Sequence, residues 1–206
     1  MKKHSSVFAL FIHSRIYNII ITMISMATIQ ITGFSLLGCS LGSRTGNIFL
    51  GSTFLAAYTA CVLFCFYTGY KQSKTEYTLR RLRITELSVF LWDALTNTLC
   101  FLILSCAEII VVCLLALRYP SSPDYNLGPQ GIMMLFYKCN FLHAVIPMAH
   151  VMLWIRNTVF IICSGFLCAC VSVGLRYRLR NSGCYLCMVL MAICFAAIDI
   201  GENCLY

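Results

Sequence analysis

Long apolar runs, separated by short basic stretches, set the pattern of this chain. A helix crossing the hydrocarbon core of a bilayer needs about 20 mostly apolar residues. Runs of that kind stand at about 16–41, 48–70 and 88–117. The third holds the unbroken stretches Leu99-Cys-Phe-Leu-Ile-Leu104 and Ile109-Ile-Val-Val-Cys-Leu-Leu115. A turn-rich segment, Tyr119 to Gly131, follows, and two more apolar runs stand at 157–175 and 184–200. The intervening segment 132–155 is also apolar but is interrupted by Lys138, Asn140, His143, Pro147 and His150. It reads either as a sixth span or as a re-entrant or interfacial pair of short helices. Its polar residues are tolerable at membrane depth only where protein or a water-filled cavity surrounds them.

Composition removes the soluble alternatives. Of 206 residues, 60% are hydrophobic and 11% charged, whereas soluble domains are about half apolar and about a quarter charged. The pattern predicts one all-α transmembrane domain over 1–206, a polytopic integral membrane protein of five or six spans in the cell membrane. The net charge of +8 comes from few charges rather than a basic face, which excludes a nucleic-acid partner and leaves membrane lipids as the surroundings. Cytoplasmic loops hold the excess of Lys and Arg. Lys2, Lys3 and Arg15 mark the N-terminal segment as cytoplasmic, as do Lys71, Lys74, Arg80, Arg81 and Arg83 in the 71–83 segment. The two intervening loops carry one each, Arg44 and Arg118. Arg176-Tyr-Arg-Leu-Arg180 falls on the same side only if 132–155 does not cross. The near absence of a loop at Arg156-Asn157 points the same way, so five spans are preferred.

Two motifs that would mark an ATPase or a zinc protease are missing. There is no Gly-x-x-x-x-Gly-Lys-Ser/Thr loop for nucleotide phosphates and no His-Glu-x-x-His. Fourteen cysteines lie mostly inside apolar runs, where a thiol behaves as a small hydrophobe. The pairs Cys168/Cys170 and Cys184/Cys187 have metal-like spacing but no second pair at zinc-ribbon distance, so no metal and no cofactor are expected. Leu36-Leu-Gly-Cys39 has the letters of a lipidation site, but another membrane helix follows it, and a small-residue helix end is the simpler reading. His143 and His150 share a face if the segment is helical, with Pro147 kinking it. An intramembrane enzyme would have to use these two.

Ionisable groups inside a span are expensive and therefore candidates for function. Glu108 is the strongest, well inside the third run, as a pathway or packing carboxyl. Asp93 stands fifteen residues earlier, about 22 Å along a helix, at an end where snorkelling would make it cheap. Asn97 is a second pathway candidate and, with Thr98 and Ser105, would line a polar stripe on this helix.

The stretch between the second and third runs carries its own signals. Ser73 and Glu76 have capping-box spacing, predicting a short cytoplasmic helix from about Lys74. Tyr77, Leu79, Leu82 and Leu87 would form its apolar face, with Arg80, Arg81 and Arg83 around it. Such a helix either lies among anionic headgroups or docks in a groove of a cytosolic partner. Thr75-Glu-Tyr-Thr-Leu-Arg-Arg-Leu-Arg-Ile-Thr-Glu-Leu87, running into Phe90-Leu-Trp-Asp-Ala-Leu-Thr-Asn-Thr-Leu-Cys100, resembles small permease subunits of ABC-2-type transporters. Gly128-Pro-Gln-Gly-Ile132, Phe136-Tyr-Lys-Cys-Asn-Phe-Leu-His-Ala-Val-Ile-Pro147 and Trp154-Ile-Arg-Asn157 resemble them too. In letters the likeness lies at 75–100 and 128–157; in layout it covers 1–180. It implies an ATP-driven exporter in which a separate ATP-binding subunit hydrolyses the nucleotide. That subunit would dock on Tyr77, Leu79, Arg80, Arg81, Leu82 and Arg83, and a second permease copy or homologue would complete the pathway. The odd span count departs from the six of that family, and the end Ile198 to Tyr206 has no counterpart. The alternative is a non-transporting membrane interaction, regulatory or immunity-type protein.

Overall fold

The computed structural model describes residues 2–38, 43–71, 85–118, 139–146 and 151–177, with side chains at the ends of some helices left out. These residues are helical almost throughout, and no strand occurs among them. The helices are α1 (Lys2–Leu37), α2 (Arg44–Lys71), α3 (Glu86–Arg118), α4 (Asn140–Val145) and α5 (Val151–Tyr177). Four of them, all but α4, contain apolar stretches long enough to cross a membrane: Phe8–Leu37, Arg44–Tyr67, Leu87–Ala116 and Val151–Ser172. The chain is therefore an all-helical, membrane-embedded protein. The expected span at 184–200 and the expected short helix near 74–86 lie outside the described residues, apart from Thr85 and Glu86.

Local chemistry sets the helix ends. Gly38 follows α1 with φ of +58°, the left-handed conformation in which a glycine closes a helix without steric cost. Ser43 caps α2, its Oγ accepting from the Gly46 backbone N–H at 3.1 Å. Thr85 precedes α3, its hydroxyl 2.8 Å from that of Ser88. Along α1, Ile16, Ile20, Ile21 and Ile24 are exposed. Their three- and four-residue spacing makes one apolar stripe, which suits contact with lipid tails.

The structure divides into two compact units, and each long helix contributes to both. The first comprises 1–18, 61–102 and 158–206. Within it Phe8 packs on Trp92 at 5.4 Å and Phe90 on Phe166 at 6.0 Å, ring centre to ring centre. α3 and α5 approach closely at Gly165, where a Cβ would come within 2.8 Å of the Thr98 backbone nitrogen. Without a hydrophobic drive between helices in lipid, such small-residue contacts supply the van der Waals attraction.

The second unit comprises 19–60 and 103–157. Its core joins Phe34, Leu50, Val111, Val112, Leu115 and Ala116 to Cys139 and Leu142 at α4. Six residues of helix are about 9 Å long, too short to cross. Its open ends are held by two asparagines. At its start, Asn47 Oδ1 accepts from the Phe141 N–H and the Cys139 thiol, both at 3.3 Å. Burial pushes that thiol up from its usual range, so it stays protonated and able to donate. At the other end, Asn157 Nδ2 donates to the carbonyls of Ala144 and Val145 at 2.9 and 3.1 Å. The segment 132–155 therefore contains a short packed helix and the first turns of α5, which runs unbroken through Arg156 and Asn157. The fourth span starts at Val151 rather than near 157.

Gly165→Val forces side-chain atoms onto the Thr98 backbone, a displacement the two helices cannot absorb by rotamer change. The expected cost is about 1–3 kcal/mol, read as a lower thermal midpoint in detergent. Gly51→Ala, whose added Cβ meets nothing nearer than the Phe141 ring at 3.9 Å, serves as the neutral control.

Candidate functional site

Each unit contains one buried polar centre. In the first, α1 contributes Arg15, α3 Asp93 and α5 Ser172, all about 1–2% exposed. Arg15 Nη2 donates to Asp93 Oδ1 in a direct ion pair, and Ser172 Oγ donates to Asp93 Oδ2 at 2.7 Å. The guanidinium also lies over the Phe11 ring, 5.5 Å from its centre. Thiols surround the pair. Cys61 on α2 and Cys168 on α5 hydrogen-bond to Cys65, and Cys65 and Cys100 are near enough to act electrostatically on Arg15. Three of the four spanning helices thus meet at one carboxylate, and the fourth supplies soft, polarisable sulfur beside it.

This arrangement corrects the sequence reading in two places. Asp93 does not snorkel to an interface; it is 2% exposed and neutralised by Arg15. Arg15 is no flanking charge, because α1 starts at Lys2 and carries it into the interior. Asn97 belongs to the same unit and is fully buried, its Nδ2 donating to the Gly165 carbonyl at 3.4 Å. Thr98 turns back on its own helix, bonding the Ala94 carbonyl at 2.9 Å.

The second unit holds Glu108, fully buried on α3. Gln30 on α1 faces it, with Nε2 at 2.8 and 3.0 Å from the two carboxyl oxygens. The same nitrogen lies 2.9 Å from Thr53 Oγ1 on α2, and Thr53 passes its own proton to the carbonyls of Phe49 and Leu50, both at 2.9 Å. Gln30 Oε1 is buried with no hydrogen-bond partner among the described residues. Sequence reasoning singled out Glu108 but missed Gln30 and Thr53. The available signal was an amide in the middle of an otherwise apolar run.

The remaining candidates fall elsewhere. Tyr77, Leu79, Arg80, Arg81, Leu82 and Arg83 lie outside the described residues, as do Lys138, His150, Cys184, Cys187 and the side chain of His143. Among the described residues no three His, Cys, Asp or Glu side chains are arranged to hold a metal ion.

The ion pair yields a test. Removing one partner strands a charge in a low-dielectric interior, at a cost of about 3–5 kcal/mol, whereas removing both leaves none. Arg15→Met and Asp93→Leu should each lower the thermal midpoint strongly, and the double variant should recover much of the loss. Additive losses in this double-mutant cycle would mean that the two side chains act independently. No known protein family matches this chain, and no characterised protein or solved structure is significantly similar to it.

Proposed function

We propose that the chain is the permease subunit of an ATP-driven, ABC-2-like exporter whose ATP is hydrolysed by a separate subunit. The observation that carries this reading is the character of α3. It begins where the basic 71–83 segment ends, and it bears the buried carboxyl residue of each unit, Asp93 and Glu108. Groups of this kind inside a membrane are costly and are kept where a pathway or a moving contact uses them. A push on the basic segment would act first on the N-terminal end of that helix. The likeness of 75–100 and 128–157 to small permease subunits supports the same assignment.

Charge supports the orientation. Lys2 and Lys3 at the start of α1, the five Lys and Arg residues of 71–83 between α2 and α3, and Arg176, Arg178 and Arg180 at and beyond the end of α5 make ten of the fifteen Lys and Arg residues. By the positive-inside rule those segments are cytoplasmic. The N-terminal segment, the docking segment around Tyr77, Leu79, Arg80, Arg81, Leu82 and Arg83, and Arg176 to Arg180 then share the cytosol with the ATP-binding subunit. A fifth span at 184–200 would leave the C-terminal end outside. A second permease copy or homologue would close the pathway, since four or five helices enclose little space.

The test is a pull-down in mild detergent of the wild type beside Arg80→Glu/Arg81→Glu, followed by ATPase assay and mass spectrometry. The expected outcome is a nucleotide-binding subunit that accompanies the wild type and is lost, at least tenfold, with the double variant. Absence of any ATPase from the wild-type complex would favour the regulatory reading and leave 71–83 as a topogenic loop.

A further inference from the structure

We propose that Glu108, Gln30 and Thr53 form a proton-binding site inside the membrane, in which the Glu108 carboxyl carries a proton at neutral pH. This goes beyond the permease assignment and does not depend on it.

The argument starts from what surrounds the carboxyl. It is fully buried. From α1 it faces Gln30, and from α2 Thr53 joins through the same amide nitrogen; neither side chain ionises. Among the described residues, the Gln30 hydrogen bond is the one polar influence on it, and no charged group is near enough to act. Among the described residues the one ion pair is Arg15–Asp93, which belongs to the other unit. Arg44 and Arg118 of its own unit are exposed, and Arg156 turns to Asn157. An ionised carboxylate here would be compensated by amide hydrogens alone, and burying an uncompensated charge is the most expensive arrangement a protein interior offers.

Hydrogen-bond counting gives an independent reason. The Gln30 nitrogen has two hydrogens and three oxygens within reach. Thr53 cannot relieve this, because its hydroxyl proton is directed at the backbone of its own helix. Meanwhile Gln30 Oε1 is buried without a donor among the described residues. A carboxylate offers acceptors only, so it worsens the imbalance; a carboxylic acid supplies one O–H. That O–H is the donor the amide oxygen lacks. The last torsion of a glutamine is broad and two-fold, so a rotation about it brings acid and amide into a reciprocal pair, N–H to C=O and O–H to C=O. The ligand of this site is a proton taken from water, –COO⁻ plus H⁺ giving –COOH, and its release would break the pair that joins α1 to α3 in this unit.

Infrared spectroscopy reads the protonation state directly. The whole protein, labelled with carboxyl-¹³C glutamate and held in lipid nanodiscs, is titrated from neutral to alkaline pH beside Glu108→Gln. The expected result is an isotope-shifted C=O band of a protonated carboxyl in the wild type at neutral pH. That band should be absent from Glu108→Gln and lost reversibly as the pH rises. A wild-type spectrum with carboxylate bands alone at neutral pH overturns the proposal, whether or not the variant folds. Gln30→Leu tests the partner: the C=O band should move to higher frequency as its hydrogen bond disappears, and an unmoved band removes Gln30 from the site. None of these readouts involves an ATPase, so failure of the permease reading leaves them intact.

Discussion

An arginine placed inside a membrane helix has to be neutralised by another part of the chain, and that requirement organises the first unit. Arg15 is carried into the interior because α1 starts well before it. Lipid offers no counter-charge, so Asp93 of α3 must come to it, and the second carboxylate oxygen then recruits Ser172 of α5. Desolvating two charges is expensive, and the pair by itself is weak support for stability. Its contribution is to specificity. A carboxylate with two oxygens committed to two helices fixes the register of α1, α3 and α5 in a way that interchangeable Leu and Ile contacts would not. The close approach at Gly165 is possible because that register is set.

The same rule, that lipid satisfies no polar group, explains α4. A six-residue helix at the edge of a hydrophobic cluster exposes unpaired backbone groups at both ends. Asn47 accepts at its start and Asn157 donates at its end. One side chain from α2 and one from α5 do what water does in a soluble protein. With those ends satisfied, Leu142 can enter the apolar cluster.

Four of the spans were legible because hydropathy over twenty residues is a strong signal, and Glu108 was legible because one charge in such a run stands out. Segment 132–155 was legible as a difficulty, though not as a short helix followed by the start of α5. Arg15 was misread for a definite reason. It sits at the margin of the apolar run, where a charge looks like a flank, and its partner is 78 positions away in the sequence. Asp93 was misread as snorkelling for the same cause, since its cost depends on a residue that only folding brings near. Gln30 and Thr53 carry no charge and barely disturb hydropathy; their meaning comes from facing Glu108 across helices.

Two carboxyls on one helix thus have opposite surroundings. Asp93 accepts from a guanidinium and a hydroxyl; Glu108 faces an amide whose own oxygen has no donor among the described residues. The ion pair is self-compensated, because opening it would strand both charges. Glu108 can change at the cost of a single proton. A displacement of α3 that let water reach Glu108 would reverse its preference, since hydration stabilises the anion that burial forbids. Motion of the helix and protonation of the carboxyl are then linked by thermodynamic necessity: whatever moves α3 changes the proton affinity, and whatever changes the proton occupancy biases α3.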